Sequence, residues 1–132
     1  MILMGLDHVQ LAMPAGEEAA ARAFFVELLE MEEVVKPAVL QSRGGCWFRS
    51  PGVALHIGVA DPFIAAQKAH PAFLVGDLAG LAERLEAAGA VVKWDTAIPE
   101  VRRFFTADPF GNRIELIAAA DEGLTHTMPP RP

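Results

Sequence analysis

The chain repeats itself. When His8 is aligned with His70, HVQLAMP (8–14) lies over HPAFLVG (70–76). Both are short alternating patterns of the kind that forms half-buried strands. Each is followed by a helical pattern. EEAAARAFFVELLEM (17–31) puts Ala21, Phe25, Leu28 and Leu29 on one stripe, with Glu18 and Arg22 spaced to pair on another. Downstream, Leu78, Leu81, Leu85 and Ala88 form the equivalent stripe, with Asp77 placed to cap the helix and Gly89 to end it. After each helix comes the same tripeptide, Val34-Val35-Lys36 and Val91-Val92-Lys93. Adjacent β-branched residues crowd a helix but suit a pleat, so both tripeptides are expected to be strands.

Two more strands follow in each half. CWFRS (46–50), a Pro51-Gly52 turn and VALHIGV (53–59) match VRRFFTA (101–107), a turn over Asp108–Asn112 and RIELIAA (113–119). His56 falls on Glu115, and ADPFIAAQKA (60–69), with a short helical look, links the halves. The pattern predicts an α+β fold of two tandem βαβββ modules, about 5–59 and 69–119, within one domain spanning 1–120. Each module has one helix to cover one sheet face, so the other faces are expected to curve into a mixed-sheet trough. Residues 121–132 (DEGLTHTMPPRP) are expected to be a flexible tail, leaving His126 exposed and without a partner.

The repeat brings four chemistry-bearing residues to corresponding positions: His8, His56, His70 and Glu115. Strand alternation sets His8 with Gln10 and Ala12, His56 with Ala54 and Gly58, and Glu115 with Arg113 and Ile117, each opposite the greasier core-facing side. A carboxylate among apolar neighbours is unfavourable unless it is paired or coordinated. Imidazoles with a carboxylate suit one divalent ion: Zn, Ni, Co, Mn or Fe. Taken singly, a strand histidine is usually a packed residue and a strand glutamate usually meets water or an arginine. Recurrence at matched positions favours a metal site over coincidence.

Charge narrows the partners. The net charge is −6 and no basic run is present, which argues against a nucleic-acid partner and an anionic membrane surface. No apolar run reaches the roughly 20 residues of a membrane span. A single cysteine, Cys46, excludes an intrachain disulfide and fits a reducing, cytoplasmic setting. Hydrophobic residues make up 52%, compatible with a subunit interface as well as a core.

LDHVQLAMP (6–14), the FFVELLEMEEVVK helix exit, AHPAFLVGDLAGLAERLEAAG and above all DPFGNRIELI resemble the vicinal oxygen chelate superfamily. That superfamily includes glyoxalase I, methylmalonyl-CoA epimerase, extradiol dioxygenases, fosfomycin-resistance thiol transferases and bleomycin-resistance proteins. The resemblance runs from about residue 5 to 119 and implies the same paired βαβββ fold. It implies metal ligands at His8, His70 and Glu115, with His56 standing where some relatives carry a glutamate or glutamine. It also implies a divalent-metal-dependent glyoxalase-like lyase or isomerase, or a dioxygenase, whose small substrate chelates the ion through two oxygens. Glu115 would then be general base and His56 a fourth ligand or an acid. Gln10 and Arg103 are expected to orient the substrate; Trp47, Phe48, Phe104 and Phe105 either wall the pocket or, as strand aromatics more often do, belong to the core.

The sequence departs from relatives in places. Only one carboxylate remains in the set, Gln10 replaces a threonine expected of fosfomycin-type enzymes, and Glu30 replaces a glycine that often closes the first helix. The chain has no tyrosine, which extradiol dioxygenases often place beside the metal. A homodimer is expected. The alternative is a metal-free, bleomycin-resistance-like protein that binds a small molecule.

Overall fold

The computed structural model describes residues 1–120, and the expected tail and His126 lie outside the described residues. These residues divide into two compact units, Met1–Ala66 with Asp108–Asn112, and Gln67–Ala107 with the strand that begins at Arg113. Each unit carries one βαβββ module.

In the first unit the strands are β1 (Val9–Met13), β2 (Glu32–Val34), β3 (Cys46–Ser50) and β4 (Val53–Val59), with helix α1 (Glu18–Arg22) between β1 and β2. The sheet order is β1-β4-β3-β2, with β1 parallel to β4 and the other pairs antiparallel. In the second unit β5 (Ala72–Val75), β6 (Lys93–Asp95), β7 (Arg103–Ala107) and β8 (Arg113–Ala118) take the same order, β5-β8-β7-β6, with α2 (Leu78–Ala87) between β5 and β6. The duplication read from the sequence is thus reproduced strand for strand.

Alternation decides each core. In the first unit Met13, Phe48, Leu55 and Ile57 are buried beneath Phe24 and Phe25, and the Phe25 and Phe48 rings lie 5.4 Å apart. In the second, Phe104, Ile114 and Leu116 are buried with Leu78, Ala82 and Leu85 of α2. Each large apolar side chain so buried contributes on the order of 2 kcal/mol. Of the two places open to Phe48 and Phe104, pocket wall or core, they take the core, at 1% and 0% exposed.

Several local expectations are corrected. The first helix continues as a π-helical stretch over Ala23–Leu28, where the Leu29 N–H reaches the Phe24 carbonyl at 3.0 Å. The wider turn lets two consecutive rings, Phe24 and Phe25, both face the core. Arg22 pairs with Glu33 at 2.7 Å rather than with Glu18, whose carboxylate accepts the Gly45 N–H at 3.1 Å. That backbone hydrogen bond holds the Glu18 carboxyl below its usual range. In α2, Ala82 replaces Ala88 on the buried stripe. The strand expected at 34–36 ends at Val34, and the one expected at 91–93 begins at Lys93, leaving Val91 65% exposed. Among the described residues, the linker 60–69 contains no helix. No helix of the described residues is long and apolar enough to cross a membrane.

The DPFGN turn is a closed hydrogen-bonding unit. Asp108 Oδ1 accepts from the N–H groups of Phe110 and Asn112, both at 2.9 Å, and Oδ2 accepts from Asn112 Nδ2 at 2.8 Å. Asn112 Nδ2 also donates to the Ala12 carbonyl at 2.7 Å, fastening the turn to β1 of its unit. Burial pushes the Asp108 carboxyl up, against the opposing pull of these donors. Gly111 sits at φ 90, in the left-handed region that a side chain disfavours.

Candidate functional site

Alternation along β4 turns Leu55 and Ile57 to the core and His56 to the opposite face. Register then places Gln10 of β1 and Trp47 of β3 on either side of it. The Trp47 and His56 rings stack at 3.8 Å and 1°. His8, just ahead of β1, stacks on His56 at 4.1 Å and 19°. His56 is therefore the middle ring of a three-ring stack. Burial, then the neighbouring His8 and Lys36, hold its imidazole below the ordinary histidine range, so it is neutral near pH 7. His8 is more open, and its Nδ1 lies 3.0 Å from Asp7 Oδ1. An ionised carboxylate only accepts, so Nδ1 donates to it.

The second unit repeats this device. His70 Nδ1 is 2.9 Å from the Lys68 carbonyl, which can only accept. Nδ1 therefore donates to that carbonyl, and Nε2 lies 3.0 Å from Glu115 Oε1. Two acceptors at that separation repel unless a cation lies between them. That cation is either a proton, which makes the ring an imidazolium, or a metal ion. Two ligand atoms about 2.1 Å from one ion and at right angles to each other span about 3.0 Å, so the pair has the dimensions of one edge of a coordination shell. A histidine that donates its other N–H to a carbonyl or carboxylate is also the usual support of a metal ligand. On these grounds the His70–Glu115 pair fits two adjacent positions around a divalent ion.

Glu115 is 6% exposed and is held from its other side. Its Oε2 accepts from Arg103 Nη1 at 3.1 Å, and Arg103 Nη2 meets Asp95 Oδ2 at 3.3 Å across the β6–β7 register. Arg103, expected to orient a substrate, is thus bound to two carboxylates. Its Nε is buried with no hydrogen-bond partner among the described residues. Arg103 positions Glu115 so that one oxygen is fixed while the other faces His70. Phe105 is the register partner of Glu115; its ring stands edge-on to His70 at 5.2 Å and is covered by the Arg113 guanidinium at 4.0 Å.

Gln10 and Trp47 line an open cavity of about 270 Å³ in the first unit, together with Lys36, Leu40 and Arg43. Gly58 gives Gln10 its place, since a Cβ there would lie 2.4 Å from the amide nitrogen. Among the described residues, no three His, Cys, Asp or Glu side chains form a group that could hold a metal ion. Within the first unit His8 stacks on His56, and within the second His70 meets Glu115. Residue types alone did not single out the Lys68 carbonyl or Asp95. Asp7, adjacent to His8, was the legible signal of a supported imidazole.

A family model described as a glyoxalase-like domain matches residues 10–117. A protein from Bacillus anthracis assigned to the glyoxalase family is 47% identical, covering 89% of this chain and 97% of its own, with a TM-score of 0.85. FosX, a genomically encoded fosfomycin resistance protein from Listeria monocytogenes, is 21% identical, with 94% of this chain and 100% of its own covered and a TM-score of 0.73. A Glu-to-Gln mutant of FosX, solved with Mn(II) and 1S,2S-dihydroxypropylphosphonic acid, is 20% identical, with 88% and 90% covered and a TM-score of 0.70. No curated protein matches the sequence.

Proposed function

Because this chain belongs to the glyoxalase-like family, within the vicinal oxygen chelate superfamily, we propose that it is a divalent-metal-dependent enzyme. Its substrate is a small molecule that chelates the ion through two oxygens, and its reaction is a glyoxalase-like lyase or isomerase step or a dioxygenation. The observation that carries this reading is the His70–Glu115 pair: Nδ1 is engaged by the Lys68 carbonyl at 2.9 Å and Nε2 lies 3.0 Å from a carboxylate oxygen. The stacked pair His8 and His56 supplies the remaining nitrogen donors. The Mn(II) complex of a fold relative supports a divalent ion of this kind.

When bound, the ion supplies Lewis-acid stabilisation of negative charge developing on a substrate oxygen. The residues do the rest. Glu115 would be the general base for the proton on the carbon next to the substrate carbonyl, either while it is a ligand or after leaving the ion, with Arg103 holding Oε2 throughout. Arg103 and Asp95 keep that carboxylate in one orientation, which avoids reorganisation during the reaction. His56, kept neutral, is a fourth donor or a proton carrier. Phe105 walls the His70 side and Trp47 the His56 side. Gln10 presents its amide on the same face as the three-ring stack.

The two pairs are proposed to join in a homodimer, the first-unit pair of one chain completing the second-unit pair of its partner. Exposed apolar side chains support an interface: Met1, Ile2, Leu3, Met4 and Leu6 are each at least 80% exposed, and Leu74 on edge strand β5 is 67% exposed. Purified protein is expected to carry about one divalent ion per chain by elemental analysis, and a chelator is expected to lower its melting temperature. Absence of metal, with no stabilisation by added Mn, Ni, Zn or Fe, would favour the rival reading. That rival is a metal-free small-molecule binder, and the lack of a three-residue cluster among the described residues speaks for it.

A further inference from the structure

We propose that the cavity beside His56 is an oxyanion subsite, and that it holds the anionic end of the substrate: a phosphate, phosphonate or carboxylate. Its lining includes two cations, Lys36 and Arg43, and no acidic residue. Lys36 Nζ donates to the Gly44 carbonyl, which holds the ammonium at the cavity wall with further N–H donors available. Arg43 ends the 3-10 turn Ala38–Arg43, and among the described residues its guanidinium has no ion pair or hydrogen bond in the structure. Glu18 of α1 lies behind this wall, outside the lining, where its carboxylate accepts the Gly45 N–H. Gln10 adds an amide donor. Trp47 is shared between the cavity wall and the stack on His56.

Chemistry favours an oxyanion here over other ligands. A neutral apolar molecule would leave two cations beside it without a counter-charge, and a cation would be repelled. A guanidinium fork with a point ammonium and an amide matches a group bearing two or three oxygens. Arg103 cannot take this role, because it is bound to Glu115 and Asp95. The assignment of the anion to the substrate rests on the function proposed above. Oxyanion binding itself does not require metal, so the two can fail separately.

The test is an NMR titration of the full chain in EDTA, with sodium phosphate or acetate replacing chloride at constant ionic strength. The two tryptophans give two indole N–H signals. The Trp47 signal is expected to move saturably and the Trp94 signal to stay. Arg43→Gln, a change at an exposed side chain, is expected to weaken binding about tenfold, the loss of one charge-assisted contact. Lys36→Gln/Arg43→Gln is expected to abolish the response, and Arg49→Gln, whose partner is Glu32, to leave it unchanged. Saturation by phosphate alone identifies a tetrahedral oxyanion, and saturation by both identifies a carboxylate-tolerant site. No saturable Trp47 shift, or a shift that survives in the folded double variant (an adventitious ion only), overturns the proposal. Phosphate binding in a protein that takes up no metal would leave the subsite standing and remove the metal chemistry.

Discussion

Replacing Glu115 by Gln separates a metal ligand from a structural ion pair. In the wild type, Oε2 accepts from Arg103 at 3.1 Å and Oε1 lies 3.0 Å from His70 Nε2. A glutamine can keep its carbonyl toward Arg103 and donate its NH₂ to His70 Nε2, so every group stays satisfied with no cation between them. Arg103 also keeps Asp95. The metal-free variant should therefore lose only the charge assistance of one buried hydrogen bond, about 1–3 kcal/mol. The metal response should change far more. At a free ion concentration one hundredfold above Kd, linkage gives about 2.7 kcal/mol of stabilisation. For a chain of this size that raises Tm by roughly 10 °C. Differential scanning fluorimetry with Mn(II) or Ni(II) against EDTA is expected to show that rise in the wild type and under about 2 °C in Glu115→Gln. An equal rise in both proteins would refute the argument, because the ion would then bind without this carboxylate.

Further outcomes follow from the same geometry. If sites form across a homodimer, His8→Ala chains co-refolded with Glu115→Gln chains should regain about a quarter of wild-type metal binding, since half the dimers are mixed and each holds one intact site; no recovery would place both pairs of a site in one chain. Asp108→Ala removes the acceptor of three hydrogen bonds in a buried turn and should cost about 2–4 kcal/mol in urea unfolding; a loss below about 0.5 kcal/mol would mean the turn is not held by its carboxylate. Glu18 has its carboxyl lowered by the Gly45 N–H, so its stabilisation is complete above the unfolded value of 4.5 and fades as pH falls through the folded value. The Tm gap between wild type and Glu18→Gln should close in acid, and a gap independent of pH would contradict the assignment.

Much of this was legible in the sequence because alternation is a strong signal. VALHIGV could hide Leu55 and Ile57 only by turning His56 outward, and the structure does so. The repeat fixed the topology for the same reason, since equal patterns with equal connections fold alike. The adjacent pair Arg102 and Arg103 stayed ambiguous until register set Arg103 opposite Asp95 and beside Glu115. The Lys68 carbonyl was invisible, because a backbone acceptor carries no residue-type signature. Trp47 could be named as a wall, but its stacking on His56 depends on cross-strand register that no local pattern specifies. Matched positions in a repeat indicate equivalent places in two modules and leave open which modules pair.

The central claim is that His70 and Glu115 grip a divalent cation. A crystal soaked in Mn(II), with data collected for anomalous scattering, tests it directly. The account predicts a peak within coordination distance of both His70 Nε2 and Glu115 Oε1, with His8 Nε2 of the same or a partner chain in the same shell. Saturating Mn(II) with no peak between those atoms, and the two still in contact as an imidazolium–carboxylate pair, would contradict it.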